Sequence, residues 1–254
     1  MLGSQGLLLL DLGQILQEPR RLGLDAVSVS VQDTDAMTVE VKICGLTNLA
    51  DAEVAIAAGA DYLGFVLYPP SPRAISVREL RSIAVALAGR ARLVGVFVNE
   101  SPAAVRQVVT ACGLHAAQLH GGEAAVDFAG AWEFPLWRAV VLRDDGAHPS
   151  PANWATAARY VVDAAPPGQY GGAGHKADWV AARAFAAQRP TMLAGGLTAD
   201  SVAEAVRLVA PLGVDVASGV EAAPGRKDHA ALRRFVAAAK DVFLPEESHD
   251  ESTA

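Results

Sequence analysis

The stretch VEVKICGLTNLADAEVAIAAGADYLGFV, residues 39–66, decides the fold class. It begins with the Val- and Ile-rich run Val39–Ile43 and continues with an Ala-rich stretch of helical length, Asn48–Ala58, which Gly59 closes. A second apolar run, Tyr62–Leu67, follows at once. A strand, a helix and a strand in this order form a βαβ unit with parallel strands. The stretch therefore predicts an α/β protein.

The same alternation continues through the rest of the chain. The further predicted strands are Arg92–Val98, His115–Leu119, Leu136–Leu142, Arg159–Val162, Thr191–Ala194 and Val214–Ala217. The further predicted helices are Val77–Leu87, a helix opened by Ser101-Pro102 and ending near Ala111, Glu123–Ala131, Ala152–Ala157, Lys176–Ala187, Thr198–Leu208 with Thr198 as its cap, and His229–Lys240.

Eight strands alternating with eight helices is the count of a single (β/α)8 TIM barrel. A doubly wound open sheet would show the same periodicity. The count of eight and the glycine- and polar-rich segments after nearly every strand favour the barrel. No G-x-G-x-x-G follows the first strand, which weakens a dinucleotide-binding interpretation.

Composition limits the function classes. The chain has 254 residues, of which 52% are hydrophobic and 19% charged, and this excludes a wholly disordered protein. A formal net charge of −7 gives no electrostatic footprint for nucleic acid or an anionic membrane. Two cysteines exclude a disulfide scaffold and a multi-cysteine metal site, and they favour the reducing cytoplasm.

The predicted barrel occupies residues 37–241. Residues 1–36 are expected to form a poorly ordered N-terminal extension, and residues 242–254 an acidic disordered tail. The Leu7–Leu10 run fails as a secretory signal because Asp11 ends it and no basic residue precedes it.

Cys44 and Asp163 are the candidate catalytic residues. Cys44 follows the first strand and Asp163 follows the sixth, so both would lie at the face of a barrel where active sites form. A thiolate suits a base, and a carboxyl group suits a general acid. Cys44 could equally be a small buried hydrophobe, and Asp163 a loop cap. Cys112, near a helix end, is expected to serve packing alone.

Small residues follow the last two predicted strands, as Gly195-Gly196 and Ser218-Gly219. The corresponding loops of many barrels bind a phosphate through backbone N–H groups. Tight turns without a ligand would use the same residues.

Three more polar residues lie at predicted strand mouths. Arg73, in a loop stiffened by three prolines, could hold a carboxylate or could be a solvated surface arginine. Gln118 and His120 alternate along the fourth strand and should both face inward.

Strand parity predicts an ion pair beneath Cys44. If Cys44 points into the barrel, so does Lys42, two residues earlier. Strand eight neighbours strand one in a closed barrel and carries Asp215, and a buried lysine without a partner would lose its proton. We therefore expect a Lys42–Asp215 pair, whose positive charge near Cys44 should favour the thiolate.

Nine short motifs, in order along residues 38–240, resemble those of the phosphoribosylanthranilate isomerase family. They are Val41-Lys42-Ile43-Cys44-Gly45-Leu46-Thr47, Gly64-Phe65-Val66, Pro72-Arg73-Ala74-Ile75-Ser76, Val94–Asn99, Gln118-Leu119-His120-Gly121, Val162-Asp163, Gly171–Gly174 with Asp178-Trp179, Leu193–Leu197, and Val214–Glu221 with Pro224–Asp228.

The resemblance implies a barrel without cofactor or metal that rearranges N-(5-phosphoribosyl)anthranilate to the 1-deoxyribulose phosphate. It implies that Asp163 is the general acid, Cys44 the general base and Arg73 the ligand of the anthranilate carboxylate. Gln118, His120, Gly195, Gly196, Ser218 and Gly219 complete the expected substrate site. The expected partner is a small phosphorylated substrate, with no nucleic acid or membrane, for a monomer or homodimer in the cytoplasm.

The chain departs from this family in two ways. Ala217-Ser218 stands where the family usually has Ser-Ser, and about 36 residues precede the first strand. A related isomerase of the histidine pathway would use an aspartate where Cys44 stands. A non-catalytic protein that binds a phosphometabolite would lack Cys44 or Asp163.

Overall fold

The computed structural model describes residues 38–164 and 178–242. Eight parallel strands form the barrel: β1 Glu40–Ile43, β2 Tyr62–Val66, β3 Arg92–Phe97, β4 Ala116–Leu119, β5 Leu136–Arg143, β6 Ala157–Asp163, β7 Thr191–Leu193 and β8 Gly213–Val216. The α-helices in the described part of the chain are α1 Leu49–Ala58, α2 Val77–Leu87, α3 Pro102–Cys112, α4 Trp179–Ala186, α5 Val202–Val209 and α6 His229–Lys240.

The sheet closes on itself, which decides between the two predicted architectures. Strand β1 pairs with β2 on one side and with β8 on the other, and β4 pairs with β5. An open doubly wound sheet would leave two free edges. The prediction of a (β/α)8 barrel is therefore confirmed.

The core has two layers. A cluster of buried residues fills the barrel, and it comprises Tyr62, Val94, Ala116, Trp137, Ala139, Val161, Met192 and Ala194. A larger cluster lies between strands and helices and includes Ile43, Leu80, Val105, Leu193 and Phe235. Residues that alternate along each strand supply the two layers in turn, as the period of a β-strand requires.

Helix α3 begins as its sequence predicts. Ser101 is its N-cap and accepts a hydrogen bond from the N–H of Ala104, and Pro102 occupies the first turn. The cap predicted for α5 is wrong by three residues. Thr198 begins a preceding turn, in which its carbonyl accepts from the N–H groups of Ser201 and Val202, and the helix itself starts after Ser201.

Two predicted helices are wrong. Instead of a helix over Glu123–Ala131, the chain forms one 3-10 turn, Ala125–Phe128. The Glu123 carboxylate accepts from the backbone N–H of Gly121, two residues earlier, and this fixes a turn where the helix should begin. Gly130, with φ of 95°, ends the segment.

The helix predicted over Ala152–Ala157 is also a single 3-10 turn, Pro151–Asn153. Before it lies a short strand that the sequence analysis missed, Gly146–His148, which pairs antiparallel with the end of β5. The connection between these two strands is tight and includes Gly146, whose φ is 120°. The sequence Asp144-Asp145-Gly146 was therefore the available signal for this hairpin.

The barrel's described limits differ slightly from the predicted ones. Val242, assigned to the tail by sequence, is buried in the core. The predicted N-terminal extension, the rest of the tail and residues 165–177 of the glycine-rich loop after β6 lie outside the described residues. Within the described ranges, every helix is too short or too polar to span a lipid bilayer.

Candidate active site

Cys44 directly follows β1 and is buried. Its N–H donates to the carbonyl of Val216 on β8, so the neighbouring strand fixes its backbone. Two glycines make room around it. A Cβ on Gly64 would lie 2.7 Å from the Cys44 sulfur, and a Cβ on Gly45, which has φ of 73°, would lie 2.7 Å from the side chain of Arg73. Both positions must therefore be glycine for the thiol and Arg73 to reach their places.

The ion pair predicted beneath Cys44 is confirmed. Lys42 and Asp215 are register partners on β1 and β8, and Nζ lies 2.8 Å from Oδ2. The Lys42 side chain is fully buried and that of Asp215 is 7% exposed. Oδ1 of Asp215 is buried and has no hydrogen-bond partner among residues 38–164 and 178–242.

Burial controls the ionisation of Cys44 more strongly than Lys42 does. Burial raises the pKa of the thiol, the charge of Lys42 acts in the opposite direction, and the net pKa lies above the usual range. Lys42 thus favours the thiolate, as expected. The expectation is wrong for Cys44 as a whole, because burial outweighs Lys42 and the net shift favours the protonated thiol. Burial alone would lower the pKa of Lys42, but Asp215 and Cys44 outweigh it and raise that pKa.

Asp163 ends β6 and faces the side chains of β4. His120 Nε2 lies 3.3 Å from Asp163 Oδ2, and the N–H of Ala164 donates to Oδ1 at 2.7 Å. Gln118 Nε2 lies 2.9 Å from His120 Nδ1. With the amide nitrogen on that side, Nδ1 accepts and Nε2 carries the hydrogen that faces Asp163. Gln118 and His120 therefore meet at the inward-facing strand mouth, as predicted.

The environment of Asp163 favours its ionised form. Burial by itself would raise the pKa of this carboxyl group, but the bonds from His120 and Ala164 and the charge of Lys42 outweigh burial. The net pKa of Asp163 lies below its ordinary value. The charge of Lys42 thus acts on the ionisation of both Asp163 and Cys44.

Arg73 is held by a residue to which the sequence analysis gave no role. Its Nε lies 2.9 Å from Oε1 of Glu221, and its Nη2 lies 2.7 Å from Oε2. Lys227, fully buried, donates to the same carboxylate at 3.0 Å. Burial alone would raise the pKa of Glu221, but the two cations lower it below its usual range. Arg73 is therefore a fixed side chain and not a solvated one.

The loops after β7 and β8 pack tightly against each other. Gly195 and Gly196 have φ of 85° and 63°, and Ser218 begins a 3-10 turn, Ser218–Val220. A Cβ on Gly219 would overlap the carbonyl oxygen of Leu197. Gly219 is therefore required by the contact between the two loops, and Gly195 and Gly196 suit the positive φ angles of their turn.

A second buried ion pair missed by the sequence analysis supports the loop after β4. Arg138 on β5 contacts Glu123 at 2.6 Å and donates to the carbonyl oxygens of Leu119 and Gly121. These bonds fix the backbone on both sides of His120. Because the sequence analysis placed Glu123 in a helix, it did not predict the ion pair with Arg138. An acidic residue just after a Gly-Gly pair was a usable signal.

Within residues 38–164 and 178–242, no group of three His, Cys, Asp or Glu side chains is arranged to hold a metal ion. The reactive side chains at this face of the barrel are Cys44 and Asp163, with charged groups around them. A thiol and a carboxyl group at the carboxyl ends of two barrel strands define a barrel site of the acid–base type.

Comparisons with known proteins identify the family to which this acid–base barrel belongs. Residues 41–238 match the family model of N-(5'-phosphoribosyl)anthranilate isomerase. The isomerase of that name from Pelobacter propionicus is 44% identical over 204 residues, which cover 80% of this chain and 97% of the relative. The one from Myxococcus xanthus is 44% identical over 218 residues, covering 82% and 99%. The chain belongs to the N-(5'-phosphoribosyl)anthranilate isomerase family.

Solved structures agree with the family assignment. Phosphoribosylanthranilate isomerase from Thermotoga maritima is 37% identical with a TM-score of 0.70, covering 80% of this chain and 99% of its own. A phosphoribosylanthranilate isomerase in complex with reduced 1-(o-carboxyphenylamino)-1-deoxyribulose 5-phosphate is 36% identical with a TM-score of 0.67, over the same shares.

Proposed function

We propose that the chain isomerises N-(5'-phosphoribosyl)anthranilate to 1-(2-carboxyphenylamino)-1-deoxyribulose 5-phosphate in tryptophan biosynthesis. The observation that carries the proposal is the placement of Cys44 directly after β1 and of Asp163 at the end of β6, both at the carboxyl ends of barrel strands. An Amadori rearrangement needs one acid and one base on the same sugar, and these two side chains supply them.

Asp163 is the general acid in this proposal. It gives its proton to the ribose ring oxygen, the bond between C1 and that oxygen breaks, and the anthranilate nitrogen lone pair forms the C1=N⁺ bond of an iminium. Asp163 is left as a carboxylate. The hydrogen bonds from His120 and Ala164 stabilise that form, and they support this assignment.

Cys44 is the general base. Its thiolate takes the C2 proton, whose electron pair forms the C1=C2 bond while the iminium π electrons return to nitrogen. The resulting enolamine tautomerises to the ketone. Lys42 supports the assignment because its buried ammonium group opposes the effect of burial on the thiol.

Arg73 binds the anthranilate carboxylate, and the loops after β7 and β8 bind the phosphate. Arg73 has five N–H donors, and Glu221 engages only Nε and Nη2. The phosphate contacts are the backbone N–H groups of Gly195, Gly196, Ser218 and Gly219. Gln118 and His120 line the same opening and contact the sugar.

We also place the enzyme in the cytoplasm, as a monomer or homodimer. Both cysteines are unpaired thiols, which suits a reducing compartment. The side chains assigned above all belong to one chain, so a single subunit holds the proposed acid, base and carboxylate ligand.

The test is the decay of substrate fluorescence when purified protein is added to freshly made phosphoribosylanthranilate. We expect turnover by the wild type and a loss of about 10²–10⁴-fold in kcat for Cys44→Ala and for Asp163→Asn. Cys112→Ala, which changes the other buried cysteine, and Asp145→Asn, on the exposed hairpin, are matched controls and should retain activity. An inactive wild type overturns the proposed function; near-wild-type kcat in both variants overturns the assigned roles.

A further inference from the structure

Two cations share one carboxylate beside the proposed catalytic residues. Glu221 accepts from Arg73 through Nε and Nη2, and from Lys227 through Nζ at 3.0 Å. The side chains of Arg73, Glu221 and Lys227 are 13%, 4% and 0% exposed. We call these three residues the carboxylate cluster. Glu221 and Lys227 take no part in the proposed acid and base steps themselves.

The backbone holds Glu221 and Lys227 opposite each other. They are register partners in a two-stranded antiparallel ribbon, Glu221–Ala223 with Arg226–Lys227, that follows β8. Thr47, in the loop after β1, donates to the carbonyl of Gly225 at the turn of this ribbon. The backbone N–H of Lys227 donates to the Asp51 carboxylate at 2.9 Å. The cluster is thus fixed before any ligand arrives.

The contacts orient the guanidinium of Arg73. Glu221 lies along the Nε–Nη2 side, which uses one N–H of each nitrogen. A guanidinium is planar and rigid, so the Nη1–Nη2 side keeps a second pair of parallel N–H donors for another carboxylate. Nη1 has no hydrogen bond among the described residues. Glu221 therefore determines the direction in which this second pair points.

Charge balance explains the buried lysine. An arginine paired with one glutamate is neutral as a unit and attracts an incoming anion weakly. Lys227 adds a second positive charge. Burial lowers the pKa of Lys227 below its ordinary value, and Glu221 opposes part of that effect. Glu221 Oε1 and the carbonyl of Ala217 both accept hydrogen bonds from its Nζ. The cluster as a whole then carries one net positive charge.

We infer that Glu221 and Lys227 are positioning residues for the anthranilate carboxylate of the substrate. Glu221 orients Arg73, and Lys227 cancels the charge of Glu221 so that the cluster attracts the carboxylate. The inference rests on the proposed function, and it assigns the specificity for a carboxylate-bearing substrate to three residues instead of Arg73 alone.

The experiment compares Lys227→Met, Glu221→Gln and the double variant. Their clusters carry net charges of zero, plus two and plus one. The readouts are KM, kcat and the Kd of reduced 1-(o-carboxyphenylamino)-1-deoxyribulose 5-phosphate measured by calorimetry, with inorganic phosphate as a second probe. Lys240→Met serves as the control. It removes the ion pair between Lys240 and Asp61, and Asp61 precedes β2 at the opposite end of the barrel from the site.

We expect Lys227→Met to raise KM and the Kd of the analogue about tenfold, equivalent to ~1.4 kcal/mol, while the Kd of phosphate stays unchanged. The double variant should recover only part of this loss, because removing the negative charge of Glu221 restores the net charge while Arg73 loses the carboxylate that orients it. Lys240→Met should behave as wild type.

Wild-type KM and Kd in Lys227→Met would overturn the inference. A double variant that binds the analogue more weakly than both single variants would also overturn it, since restoring the net charge of the cluster would then not improve binding. Equal losses for the analogue and for phosphate would show a general disturbance of the site and count against it as well. A wild type without isomerase activity contradicts the proposed function instead.

Discussion

The proposed base and the proposed acid are supported in opposite ways. Around Cys44, the chain buries full charges: Lys42, Asp215 and Lys227 all lie within the electrostatic range of the thiol. Around Asp163, the nearest support is an imidazole hydrogen bond and a backbone N–H. Yet the carboxyl group with the weaker set of charges is the one that is held ionised, and the thiol is held protonated.

This difference follows from the starting points of the two groups. A thiol loses its proton only well above neutral pH, and burial moves its pKa further up, so even a buried lysine leaves it protonated. A carboxyl group starts well below neutral pH, and the hydrogen bonds from His120 and Ala164, together with the charge of Lys42, keep it ionised. The proposed reaction begins from the reverse arrangement, with the proton on Asp163 and the charge on Cys44. In most molecules of the substrate-free protein, one proton must therefore pass from Cys44 to Asp163 before the reactive form is reached.

The largest effect should come from breaking the charged support of the base. Lys42→Met leaves Asp215 as a buried unpaired carboxylate, and we expect a loss of ~3–5 kcal/mol in the free energy of unfolding. The double variant Lys42→Met/Asp215→Leu should recover much of it. Arg90→Met, which removes the exposed pair with Glu53, should change stability by less than ~1 kcal/mol. Urea unfolding measures all three, and equal losses in the single and double variants would contradict the argument from burial.

The next effect concerns substrate anchoring on the base side. We expect Arg73→Ala to lower kcat/KM by the equivalent of ~1.5–3 kcal/mol, because hydrogen bonds to a charged group are lost. Steady-state kinetics with phosphoribosylanthranilate measure it, and Arg106→Ala, which lies on α3, is the control. An unchanged kcat/KM would mean that Arg73 has no part in binding.

The support of the acid can be tested through the acidic limb of the pH profile. His120 lowers the pKa of Asp163, so replacing it in His120→Asn should raise that pKa. Because the pKa of the proposed acid lies below that of the proposed base, the acidic limb of kcat/KM reports the titration of Asp163, and it should move to higher pH. His115→Asn, at the residue before β4 and so at the opposite end of that strand from His120, is the control. An acidic limb that stays in place would separate His120 from the ionisation of Asp163.

The pH dependence of Cys44 alkylation sharpens the same comparison on the base side. In Lys42→Met/Asp215→Leu both charges are gone, and the larger of their two effects on the thiol is the lowering of its pKa by Lys42. The alkylation midpoint should therefore move to higher pH. If the midpoint is unchanged in the folded double variant, the ion pair serves stability only.

No effect at all is expected from removing the predicted N-terminal extension. The eight strands run from Glu40 to Val216 and close without it. A chain that starts at Met37 should therefore keep the kcat, KM and melting temperature of the full chain. A loss of solubility or activity would show that the extension contributes to the barrel.

The strands and the Lys42–Asp215 pair could be predicted from the sequence because both follow from regular geometry. Side-chain alternation and closure of the sheet bring these two residues together across 173 positions. The contact between Arg73 and Glu221 spans 148 positions and joins two loops, where no period relates sequence to position. Glu123 was misassigned for a similar reason: its side chain bonds to nearby backbone and to Arg138, and such a contact overrides helix propensity.

The contact between Gly219 and the carbonyl of Leu197 limits how this barrel can be re-engineered. Loop grafting treats each loop above a barrel as a separate module that can be exchanged for another specificity. Here the loops after β7 and β8 share a surface that leaves no space for a methyl group. A transplanted loop after β8 must therefore keep a glycine at that position. Otherwise the loop after β7 has to be exchanged together with it.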